Sequence, residues 1–95
     1  VYANEADVLN LALFGQTAAQ WRKKNPNKKG NMRDYAELTQ LVCLANLENL
    51  NALFIEEKVP QVERLQRLNK IAIYQMQVLT SNEKSIGRHN AIEKK

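Results

Sequence analysis

The sequence predicts an all-α fold, a small helical bundle ending in a long antiparallel helical hairpin. Three observations predict it. Apolar residues make up 44% of the 95-residue chain, while three Gly and two Pro supply little of the turn chemistry that an all-β fold needs. Apolar positions recur at three- and four-residue spacing over two long runs, Glu37 to Lys58 and Pro60 to Ser81. Cap residues, Asn4, Thr17 and Asn31, stand where separate shorter helices would begin. A chain of this length forms one domain and buries only about two thirds of its unfolded surface, so residues 1–81 are expected to share one core.

Each element follows from its ends. Asn4 is a good N-cap, Asp7 falls at the third helical position, and Gly15 can adopt the left-handed C′ conformation; Val8, Leu9, Ala12 and Leu13 then form a buried stripe. Thr17 and Gln20 have capping-box spacing ahead of Trp21, and Pro26 stops that short helix near Lys24. Gly30 and Asn31 make a turn, after which Asn31 caps one further helical turn through Tyr35, with Asp34 at its third position. In the central run, Leu38, Leu41, Val42, Ala45, Leu47, Leu50, Leu53, Phe54 and Ile55 occupy more than one face. Pro60 suits a first helical position, and Val62, Leu65, Leu68, Ala72, Met76 and Leu79 continue the pattern to about Ser81. Residues 82–95, NEKSIGRHNAIEKK, are poor in apolar side chains and are expected to fray, or to derive from a tag.

Charge is concentrated in one place. Arg22, Lys23, Lys24, Lys28, Lys29 and Arg33 put +6 between the second helix and Asp34, so the remainder of this +4 chain is net negative. A focused basic patch attracts phosphate, and six contacts would make log affinity fall with log salt at a slope of roughly −5. A charge run in a loop is more often simply solvated, and nothing here reads bases. Trp21 and Tyr35 flank the loop; as core plugs they would pin it to the bundle, and as exposed rings they would offer stacking platforms. The core reading is the commoner of the two. It predicts that Tyr35 buries its ring, that Gly30 permits the turn, and that Arg33 and Asp34 satisfy a buried carbonyl and an N-terminal amide.

Catalytic machinery is hard to assemble from these residues. Arg33 and Asp34 are adjacent, Glu56 and Glu57 likewise, and Glu5 and Asp7 alternate, so no such pair shares a helix face. His89 is the only histidine and lies in the tail, which leaves no His-based metal cluster or Ser-His pair. Cys43 sits alone in an apolar helix and reads as a small buried hydrophobe. Neither a cofactor nor a metal is expected, and the chain reads as a non-enzyme. No stretch approaches the roughly 18 apolar residues of a membrane span. With a single Cys and no targeting segment, a cytoplasmic location is expected. The first residue is Val rather than Met, which suggests a piece of a longer protein.

Five asparagines, Asn10, Asn46, Asn49, Asn51 and Asn69, lie inside helices that Ala, Glu or Gln would form better. Either they face water, or some are buried in side-chain hydrogen bonds that set helix register or an oligomer seam. Asn46 and Asn69 are the preferred candidates for the second role, since both lie beside apolar stripes.

Three blocks, YANEADVLNLALFGQTAAQWRKKNP, KGNMRDYAELTQLVCLANLENLNALFI and PQVERLQRLNKIAIYQM, together resemble the C-terminal region of KilA-N domain proteins of phages and bacterial mobile elements. The resemblance covers about residues 1 to 80 and rests on uncommon blocks in order with near-unbroken spacing; none is a catalytic motif. It implies an N-terminal KilA-N domain that binds DNA, followed by a region like this one. The quoted blocks do not include that domain, so its DNA-binding residues map to no position here. Glu37 stands where the family has threonine, which removes a helix cap. Lys23 and Lys24 fall where the family often has acidic or mixed residues, which makes their charge a feature of this chain. Taken with the helical pattern, the resemblance leads to the expectation of an accessory domain that self-associates or binds a partner. The alternative is direct, non-specific nucleic-acid contact through the basic loop.

Overall fold

The computed structural model describes residues 4–93, with side chains described through Ser81. Four α-helices and one 3-10 turn follow in order: α1 (Glu5–Phe14), α2 (Ala18–Lys24), the 3-10 turn Met32–Tyr35, α3 (Leu38–Glu56) and α4 (Gln61–Glu93). No strand occurs among the described residues, and α3 and α4 pack along each other as the expected hairpin. The helix α1 lies across that hairpin, mainly on α4.

The local signals act as their chemistry requires. Asn4 Oδ1 accepts from Asp7 N–H at 2.9 Å, and Gly15, at φ 75°, sends its N–H back to the Leu11 carbonyl. Thr17 and Gln20 form a reciprocal capping box, as do Asn31 and Asp34. The helix α3 begins after Glu37 without a threonine cap, because Gln40 Oε1 accepts from Glu37 N–H at 2.8 Å and satisfies an end group in its place. Its far end closes in a Schellman motif: Val59 N–H donates to the Phe54 carbonyl and Lys58 N–H to that of Ile55, both at 2.9 Å. Lys58 takes the left-handed position, at φ 63°, where glycine is usual. Pro60 precedes α4 by one residue instead of starting it; its carbonyl accepts from Arg64 N–H.

The core is small and drawn from three helices. Val8, Leu9 and Ala12 of α1 meet Cys43, Leu44 and Leu47 of α3 and Leu68 and Ala72 of α4. Leu47 and Leu68 are fully buried, which stabilises the fold by about 1.5–3 kcal/mol for each side chain. Burial also raises the Cys43 thiol pKa, so this cysteine behaves as an apolar filler. Trp21 and Met32 form a smaller buried pair under the loop that joins α2 to the 3-10 turn.

Two expectations are corrected here. The helix α4 runs on to Glu93, past the end expected near Ser81, because no proline interrupts it and Glu, Lys, Ile and Ala sustain a helix. The side chains of 82–93 lie outside those described, as does the expected fraying of that segment. The second correction concerns α3, whose 19 residues are long and apolar enough to cross a membrane by length and composition. The expectation that no stretch comes near that threshold overlooks how few charged residues interrupt Leu38–Glu56. Its Asn51 nevertheless belongs to a buried polar network, and its Cys43, Leu44 and Leu47 pack on other helices of this chain.

Candidate functional site

The basic loop is built around Arg22. Its guanidinium donates to three carbonyls of the following segment, those of Asn25, Lys28 and Gly30, and lies over the Trp21 ring with its central carbon 4.8 Å from the centroid. Asn25 Nδ2 adds a bond to the Trp21 carbonyl at 2.8 Å. Five guanidinium donors in a fixed fork are suited to gathering carbonyls this way. Arg22 is therefore committed to holding the loop's shape. Gly30, at φ 82°, is required by its backbone, and a Cβ there would collide with the Asp34 carboxylate.

The other predicted residues divide in two. Arg33 reaches Glu48 of α3 at 3.6 Å, an ion pair where a buried carbonyl was expected, because Glu48 lies on the helix face nearest the 3-10 turn. Asp34 accepts from Asn31 N–H at 2.7 Å, the N-terminal amide predicted for it. Lys23, Lys24, Lys28 and Lys29 are exposed, and none of the four forms an ion pair among the described residues. The patch available to an anion thus shrinks from six charges to four.

Trp21 is 7% exposed and is the expected plug, whereas Tyr35 is 51% exposed, contrary to the expectation that its ring is buried. Its hydroxyl donates to the Lys29 carbonyl at 2.7 Å, which holds the ring at the surface. Trp21 lies beneath it, centroids 5.4 Å apart at 34°, and Lys28 Nζ is 5.0 Å from its centroid.

A cleft of about 260 Å³ opens between the end of α1, α2, the 3-10 turn and the start of α3. Phe14, Gln16, Trp21, Met32, Tyr35 and Gln40 are among its walls. Gln16 Oε1 is buried there without a hydrogen-bond partner.

The asparagines are redistributed. Asn46 and Asn69 are both exposed, not buried as expected, although each still ties helices together: Asn46 Nδ2 to Gln75 Oε1 at 3.3 Å across the hairpin, and Asn69 Nδ2 to the Ala12 carbonyl at 2.9 Å. The buried pair is Asn10 and Asn51. Asn51 Nδ2 donates to Glu5 Oε1 at 2.9 Å and its Oδ1 accepts from Arg64 Nε at 3.1 Å. Arg64 completes a three-helix junction through Glu5 Oε2 at 2.9 Å and the Val59 carbonyl at 2.8 Å. The hydrogen bond from Asn51, then the bonds and charge of Arg64, hold the Glu5 carboxyl below its usual pKa against partial desolvation. Sequence reasoning weighs Glu5 only as a possible pair with Asp7 and passes over Arg64. The available signal is register: Arg64 stands one turn before Leu68 and two before Ala72, and Asn51 one turn after Leu47, both on the core rows.

On α3 the core row is backed by a second apolar row. Leu38 is 76% exposed, and Leu41, Val42 and Leu53 are exposed with it. At 3.6 residues per turn these positions, with the exposed Ala45 and Ala52, fall opposite Cys43, Leu44, Leu47 and Asn51. Tyr74 and Val78, one turn apart on α4, are exposed as well. No family model, curated protein or solved structure matches the chain.

Proposed function

We propose that this chain is a non-catalytic self-association module, with a second copy of itself as partner, serving a DNA-binding mobile-element protein of the KilA-N type that its sequence resembles. The observation that carries the reading is the second apolar row of α3. Four large hydrophobic side chains on one helix face, from Leu38 to Leu53, run about 22 Å along the helix at 1.5 Å per residue. Contiguous exposure of this kind marks an interaction surface rather than the scattered hydrophobics common on any protein.

A second copy fits that face for a geometric reason. Leu41 and Val42 stand near one end, Leu53 near the other, and the small Ala45 and Ala52 lie between them. Such a row is close to self-complementary under an antiparallel two-fold, which places each end against the other, and the alanines let two backbones approach.

Light scattering coupled to gel filtration tests this reading. The expected mass at high micromolar concentration is twice the 10.9 kDa of the chain. Replacing Leu41 and Leu53 by Glu, both on the exposed row, should return the monomer with unchanged helix content. A monomeric parent at that concentration removes the proposal.

A further inference from the structure

We propose that the cleft beside the basic loop takes one unstacked base of a single-stranded nucleic acid, with Lys28 and Lys29 meeting the adjoining phosphates. At about 260 Å³ the cleft is smaller than sites for whole drug-sized ligands, roughly 300–1,000 Å³, and suits a single planar ring system. Gln16 lines the cleft, and its Oε1, buried without a hydrogen-bond partner, is an acceptor that an exocyclic amine or ring N–H of a base would match once the side chain turns into the cleft. Water could satisfy one oxygen. It would not account for the aromatic rim.

That rim is the second observation. Tyr35 is half exposed and immobilised, by its hydroxyl on the Lys29 carbonyl and by Trp21 beneath it, so it offers a fixed face for stacking. Lys28 Nζ lies over the same ring, 5.0 Å from its centroid, so a base stacking on Tyr35 displaces that ammonium from the ring face toward the adjoining phosphate. The Arg22 contacts to three carbonyls order the loop beforehand, and binding then costs little conformational entropy. The loop offers no helix or strand to enter a duplex groove, which favours an unpaired strand over a double helix. None of this depends on self-association, since the exposed row of α3 contributes no residue to the cleft walls named above.

The test is fluorescence anisotropy of a short labelled single strand titrated with the full chain. Its duplex, a mononucleotide and inorganic polyphosphate serve as competitors. The single strand should bind about tenfold more tightly than the duplex or polyphosphate. Tyr35→Ala should weaken single-strand binding about tenfold, the scale of one lost base stack, and leave polyphosphate binding unchanged. Tyr35→Phe, which keeps the ring and loses its hydroxyl anchor on the Lys29 carbonyl, should bind more weakly than the parent and more tightly than Tyr35→Ala, and Gln16→Met, which removes the acceptor at similar length, should weaken binding. Changing Lys28 and Lys29 to Gln should weaken both strand and polyphosphate. Polyphosphate competing as well as the strand, or Tyr35→Ala and Gln16→Met binding like the parent, would overturn the proposal in favour of plain charge attraction. Displacement by the mononucleotide at comparable concentration would overturn it in favour of a free-nucleotide site. A monomeric but strand-binding chain would leave this inference standing and remove only the self-association reading.

Discussion

Replacing Arg64 by Met tests the three-helix junction, because methionine keeps the apolar stem that packs between the helices and removes only the guanidinium. Arg64 is 9% exposed, and its guanidinium serves Asn51 Oδ1, the Val59 carbonyl and Glu5 Oε2. Asn51 is 3% exposed, so water does not replace its lost donor, and an unsatisfied buried acceptor costs about 1–3 kcal/mol. Val59 O, at the hairpin turn, contributes about 1 kcal/mol more as a lost hydrogen bond. The Glu5 side chain is 41% exposed, so solvent screens that ion pair and re-solvates the carboxylate, and its share is under about 1 kcal/mol. The expected loss is about 3 kcal/mol, or roughly 12–24 °C in melting temperature for a domain of this size. Thermal and urea melts followed by circular dichroism read it directly. The parent should also lose stability as acid protonates Glu5: a carboxyl with a lowered folded pKa contributes stability that is present above its unfolded value and lost as pH falls through the folded value. In the Arg64→Met chain that acid-side loss should be smaller. A variant melting within about 2 °C of the parent would show that the junction merely accompanies the packing of Leu47 and Leu68, and the reasoning would fail.

Two further changes probe the ends of the bundle. Trp21→Ala should cost roughly 3 kcal/mol, because the ring is buried with Met32 beneath the loop and Arg22 stacks on it; a parent-like melting temperature would contradict that packing. Lys58→Gly should raise stability by about 0.5–1 kcal/mol, since a left-handed non-glycine residue carries a strain of roughly 1–2 kcal/mol that glycine avoids at some entropic cost; a lower urea midpoint would refute the strain argument.

The chain's local instructions are written in its sequence. Asn4, Thr17 and Asn31 each stand three residues before a partner for their helix start, and their hydrogen bonds span only a few residues, so spacing alone predicts them. The hairpin is equally legible, because two apolar helices separated only by Glu57, Lys58, Val59 and Pro60 have no other compact arrangement. Glu5, Asn51 and Arg64 are different. They are separated by as many as 59 positions, and only the crossing of α1 over the hairpin brings them together. Asn46 and Asn69 show the same dependence, since half a turn of helix rotation separates a buried amide from an exposed one. Tyr35 was assigned to the core on its ring, yet six residues away the Lys29 carbonyl holds its hydroxyl at the surface. Arg22 likewise reads as a phosphate ligand by charge and becomes a loop staple once the chain doubles back to present three carbonyls. Short-range hydrogen bonding and apolar periodicity are properties of the sequence. Which of two apolar faces is left for a partner, and which charges remain free, is decided only when the helices pack, because burial is a property of the whole fold.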